Sequence, residues 1–121
     1  MRKMPLAAAL LALAAPANAM DVATYLAKAQ HLQALGMAAM FSGDYREMTA
    51  EGTAAVHALR QERLAAVAAH RRPAYCPPEH GSLTVEEIIG AMNAVPPARR
   101  AHTQVKDALR GGFARKYPCP R

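Results

Sequence analysis

The chain has no tryptophan, only two phenylalanines and only four tyrosines among 121 residues. So few rings give no stacking platform for unpaired bases. The basic residues are scattered or gathered at helix ends, so nucleic acid is excluded as a leading partner. There are only two serines, Ser42 and Ser82, and neither stands in a nucleophile-elbow pattern. Ser82 is better explained by its place at a helix start. Glu86 and Glu87 are adjacent; on a helix they diverge by about a quarter turn or more and cannot face one another as a carboxylate pair. No enzymatic activity and no cofactor are expected.

Metal-ligand spacing is also missing. None of the five histidines pairs with another at i, i+4 around a glutamate. His80 follows Cys76 by four residues, which would matter only if that thiol were free. Met37, Met40 and Met48 form a cluster of the kind that binds cuprous ion, but without histidine–methionine repeats they read as flexible fillers of an alanine- and leucine-rich core. No metal is therefore expected. Alternating strand patterns, internal repeats and a second long apolar run are absent too.

What is present begins with the first nineteen residues. Arg2 and Lys3 precede the apolar run LAAALLALAA, and Pro16 with Ala17-Asn18-Ala19 supplies the small-residue pattern of a cleavage site. Residues 1–19 are expected to be a secretory signal peptide, leaving a soluble periplasmic domain over residues 20–121. Processing removes two cations and no acid, lowering the formal charge from +6 to +4. In an oxidising compartment the two cysteines, Cys76 and Cys119, have one intramolecular pairing open to them, and a disulfide is expected.

Alanine, leucine, arginine and glutamate dominate the remainder, so an all-α small bundle of about four helices, closed by one disulfide, is expected. The first helix is capped by Asp21 and turns Val22, Tyr25, Leu26, Ala29 and Leu32 to one face, stopping at Gly36. MAAMF should follow as a buried turn. Asp44 should cap a long helix from Tyr45 to about His70, ended by Pro73, whose stripe of Val56, Leu59, Leu64 and Val67 packs on the first helix. Thr84 and Glu87 form a capping box, with Leu83 and Ile88 as a hydrophobic staple, opening a third helix from Val85 to about Ala94. A turn or short helical segment, ARRAH, leads to a last helix capped by Thr103. That helix carries Val105, Leu109, Phe113 and Tyr117 inward, with Gly111-Gly112 marking close packing or a kink.

From CPPEHGSLTVEEII through PPARR and VKDALRGGFARKYPC the chain resembles the C-terminal half of the Tai-like immunity proteins, small periplasmic helical proteins that neutralise type VI secretion amidase toxins. Cys76, Gly81, the helix from Val85, Arg99 or Arg100, and Tyr117-Pro118-Cys119 follow that family's plan in order, over roughly half of the processed chain. The family's N-terminal half carries additional cysteines, whereas residues 20–75 hold none. The resemblance implies a helical scaffold and, as partner, a secreted amidase toxin.

Arginine supplies the remaining signal. Arg60, Arg63, Arg71 and Arg72 cluster late in the long helix and just beyond it, and Arg99 and Arg100 follow the third. The planar guanidinium binds carboxylates bidentately, so these six are the candidate contacts to an acidic protein surface. The leading reading is a periplasmic protein that docks on another protein and occludes it, with a homodimer open to it. The second is a non-catalytic envelope protein binding cell wall or anionic lipid, and a periplasmic metal-handling protein comes third.

Overall fold

In a computed structural model, which describes residues 19–121, four α-helices and two 3₁₀ segments surround one hydrophobic core. The expected leader lies outside these residues except for Ala19. The helices are α1 (Val22–Leu35), α2 (Gly43–Ala68), α3 (Val85–Asn93) and α4 (Val105–Lys116). The 3₁₀ segments are Gly36–Phe41 and Pro97–His102, and no strand occurs among the described residues. The fold is all-α, and Cys76 is bonded to Cys119.

The last helix organises the rest. Val105, Leu109 and Phe113 recur every fourth residue and are all buried, so one face of α4 forms the centre of the core. α2 and α3 pack along it from two sides. Tyr75 stacks on Phe113 at 4.9 Å between ring centroids, and Tyr117 follows Phe113 at 6.5 Å. The Tyr117 hydroxyl both accepts from the Ser82 amide and donates to the Ser82 carbonyl. The start of the chain clasps the start of α4: the Val22 amide donates to the Thr103 carbonyl and the Val105 amide to that of Met20.

Local signals hold at several ends. Asp21 caps α1 by accepting from the Thr24 amide, and Gly36 ends it at φ 59°, in the left-handed region where glycine has no steric penalty. The capping box at α3 is complete in both directions, Thr84 Oγ1 accepting from the Glu87 amide and Glu87 Oε2 from the Thr84 amide. Leu83 and Ile88 both pack against the core.

Elsewhere the expectations need correction. Ser42, not Asp44, caps α2, because its hydroxyl accepts from the Asp44 and Tyr45 amides while its own backbone is extended. α2 stops at Ala68, ahead of Pro73. His70 turns left-handed at φ 55° and the Arg71 amide closes back on the Ala66 carbonyl. The MAAMF turn is exposed rather than buried, since among the described elements Gly36–Phe41 contacts only α1 and α2 and none covers it. Thr103 bonds back to the Arg99 carbonyl, leaving Gln104 at the start of α4 without a side-chain cap.

The largest correction concerns α2. Leu59 is buried as expected, but Val56, Leu64 and Val67 are 45%, 44% and 54% exposed, and its other buried residues are Ala55 and Ala66. α2 packs more extensively on α4 than on α1, and that neighbour rather than α1 chooses the buried face.

Two glycines within helices behave oppositely. A Cβ on Gly52 would meet nothing within 4 Å, whereas one on Gly112 would lie 2.8 Å from Ala91 Cβ and 3.4 Å from Leu83 Cδ1. Gly112 is thus the point of contact between α4 and α3. Urea unfolding should find Gly52→Ala more stable by up to about 1 kcal/mol through helix propensity. Gly112→Ala should be less stable by about 1–2 kcal/mol, because overpacking outweighs the same gain.

Candidate functional site

The six candidate arginines differ in what their side chains touch. Arg60, Arg71 and Arg99 are exposed. Arg72 holds the tail, donating to the Cys119 carbonyl at 2.9 Å and the Pro120 carbonyl at 3.1 Å. Arg63 lies 6.0 Å from the centroid of the Tyr75 ring, and its Nε is buried without a hydrogen-bond partner among the described residues. Arg100 donates from Nε to the Val95 carbonyl and from Nη2 to the Asn93 carbonyl, satisfying acceptors at and just beyond the end of α3. Arg63, Arg72 and Arg100 therefore have structural partners of their own.

Other charged groups pair across elements. Lys28 on α1 reaches Asp44 at 2.8 Å and Glu47 at 2.9 Å on α2, and His31 Nδ1 lies 3.0 Å from Asp44. Arg110 on α4 bonds Glu62 on α2 and Asp107 on its own helix, with Lys106 also on Glu62. Lys116 joins Glu87 at 2.8 Å, linking the end of α4 to the start of α3.

These contacts shift the acids in one direction. Lys28 and then His31 hold the Asp44 carboxyl below its ordinary value of 3.8. Lys116 and the Thr84 amide do the same for Glu87, whose ordinary value is 4.5. Burial alone would raise Glu62, but the bonds from Arg110 and Lys106 together leave it lowered. The Thr24 hydroxyl lowers Asp21. An acid depressed on folding contributes stability above its unfolded pKa and loses it as pH falls through the folded one. The thermal midpoint should therefore be level from neutrality down to about pH 5 and fall from about pH 4.5 downward, as followed by circular dichroism.

Two apolar features stand apart from this charged shell. The first is the Gly36–Phe41 turn, where Met37, Met40 and Phe41 are 86%, 63% and 89% exposed. Met48 packs against the core, so the three methionines do not share one environment. The second is a groove of about 1120 Å³ bounded by α1, α2 and α3, with Tyr25, Val105, Leu109 and Phe113 among the residues lining it. Its walls include Leu26 and Ala29 from α1, Met48, Gly52 and Val56 from α2, and Ile88 and Ile89 from α3. It exists because α2 and α3 both pack on α4 without packing on each other.

Sequence reasoning missed both. The exposure of the turn depends on no element reaching it. The groove depends on α2 and α3 staying apart. The one local signal in the sequence is Gly52, a glycine within a long helix, which lines the groove.

Cys76 is held in the disulfide and is closed to His80 as a metal partner. Among the described residues no group of three or more histidine, cysteine, aspartate or glutamate side chains could hold a metal ion. Nor is any helix among them long and apolar enough to cross a membrane. The chain matches no protein-family model, no curated protein and no solved structure.

Proposed function

We propose that the protein is an exported, non-catalytic binding protein that docks on another protein and occludes part of it. The observation that carries this reading is the Gly36–Phe41 turn, where three large apolar side chains project at the end of the α1–α2 pair. Ordering apolar side chains in water is unfavourable, and exposed apolar clusters of this kind mark interaction sites. A projecting aromatic flanked by methionines can fill a partner's cleft in the manner of an interface anchor. Arg46, exposed in the first turns of α2, supplies a cation near the same end. The resemblance of residues 76–119 to the Tai-like immunity proteins supports a secreted amidase toxin as that partner.

The test uses the purified processed protein and a secreted amidase encoded beside its gene. A stoichiometric complex by size exclusion and loss of cell-wall hydrolysis are expected. Met37→Ser/Phe41→Ser should weaken the complex about 30-fold or more, the scale of losing an interface anchor, with an unchanged circular dichroism melt. A double variant that binds and inhibits as the parent does, or a parent that forms no complex, overturns the reading.

A further inference from the structure

The groove carries a different inference. Among the described residues that line it only one bears a charge, Arg100, and none is an acid. The Arg100 guanidinium is fixed in place by its bonds to the Val95 carbonyl at 2.8 Å and the Asn93 carbonyl at 3.1 Å. Those bonds use two of its five N–H groups, leaving both hydrogens of Nη1 and one of Nη2. A guanidinium held in position with spare donors is prepared to receive an anion, because little further ordering is needed.

The remaining lining is largely aliphatic and aromatic, with the uncharged Gln30, Gln33, Thr49, Thr53 and Ser82 as its chief polar members. Its volume lies just above the ~300–1,000 Å³ usual for a small-molecule pocket, leaving room for a long ligand. One cation beside an extended apolar trough complements a ligand with one negative charge and one long apolar body. We infer that the groove binds a long-chain fatty acid, with its carboxylate on Arg100 and its aliphatic chain laid along Leu26, Val56, Ile88 and Ile89. A carboxylate suits the planar guanidinium, which can receive it through two parallel N–H bonds.

Gly52 offers a direct way to close the site. It lines the groove, a Cβ there meets nothing within 4 Å, and leucine has a higher helix propensity than glycine. Gly52→Leu should therefore fill the trough while leaving the fold intact.

Calorimetric titration with myristate below its critical micelle concentration is expected to show one saturable site. Across the series from decanoate to myristate, affinity should rise about two- to fourfold for each methylene, the value of burying that group wholly or in part. Methyl myristate and Arg100→Gln should each weaken binding about tenfold or more, the loss of a charge-assisted hydrogen bond. Gly52→Leu should abolish saturable binding with an unchanged or raised melting temperature. Methyl NMR should place the perturbations on Ile88 and Ile89 and leave Met37 and Met40 unmoved. The inference is overturned if myristate gives no saturable binding or if Gly52→Leu binds it as the parent does. It is equally overturned if the ester matches the acid, or if an amphipathic helical peptide occupies the groove and no fatty acid does. Should Arg100→Gln fail to fold, the ester and Gly52→Leu still decide the matter.

Discussion

Cys119→Ser, or the parent protein kept reduced, should lose about 4 kcal/mol of unfolding free energy, the chain-entropy value for a bridge spanning this separation. The two cysteines are 43 residues apart in sequence, and the bond encloses the 77–84 linker, α3 and α4. Because the bridge acts mainly on the unfolded chain, either single replacement and the double replacement should cost nearly the same, a non-additivity expected of residues sharing one interaction. Native-like signals should survive in dilute buffer, because the tail has other attachments. The Cys76 amide donates to the Tyr117 carbonyl at 2.8 Å, and Arg72 holds the two carbonyls beyond. A domain of about 100 residues has roughly 5–15 kcal/mol of net stability, so the reduced form should be folded but marginal. Urea titration with and without reductant measures the difference, and equal midpoints would refute it.

Phe113→Ala should cost about 3–5 kcal/mol, the range for removing a buried aromatic side chain. Phe113 is 4% exposed and lies between the Tyr75 and Tyr117 rings. Truncation removes the shared middle of that stack and leaves Tyr75, which the disulfide neighbour Cys76 holds close by, facing a void. Phe113→Leu keeps most of the volume and should cost less than half as much. Phe113 also lines the groove, so the alanine variant enlarges it as well as weakening the core. Urea unfolding of the two variants side by side separates lost packing from lost stacking.

How much could be read beforehand depends on whether the deciding interaction was local. Thr84 and Glu87 are three residues apart, and their reciprocal bonds need nothing from the rest of the molecule, so the start of α3 was legible. The cysteine pairing was legible because two residues offer one combination. The face of α2 was not, because alanine occupies every side of that helix and the larger Val56, Leu64 and Val67 draw attention to the wrong one. Only α4, with its own buried face, decides that Ala55 and Ala66 go inward. Ser42 and Asp44 are both good caps two residues apart, and the choice between them rests on where the Gly36–Phe41 turn delivers the chain. For the candidate sites, a run of apolar letters cannot say whether a neighbour arrives to cover it. The arginines were visible as a set, yet Arg63, Arg72 and Arg100 find ring or carbonyl partners that lie far off in sequence, in a loop or at a helix end.

The clasp between Met20 and Val105 and the bond between Cys76 and Cys119 have a mechanical meaning. A load applied between Met20 and Arg121 passes across the disulfide and bypasses the chain between positions 76 and 119. Only α1, the exposed turn, α2 and the short segment up to Cys76 can be drawn out, at most about 3.3–3.6 Å for each residue. α3 and α4 would stay behind the bridge as a loop that carries no tension. Under reducing conditions the same pull would engage the whole domain, so its extensibility is set by the redox state of a single bond.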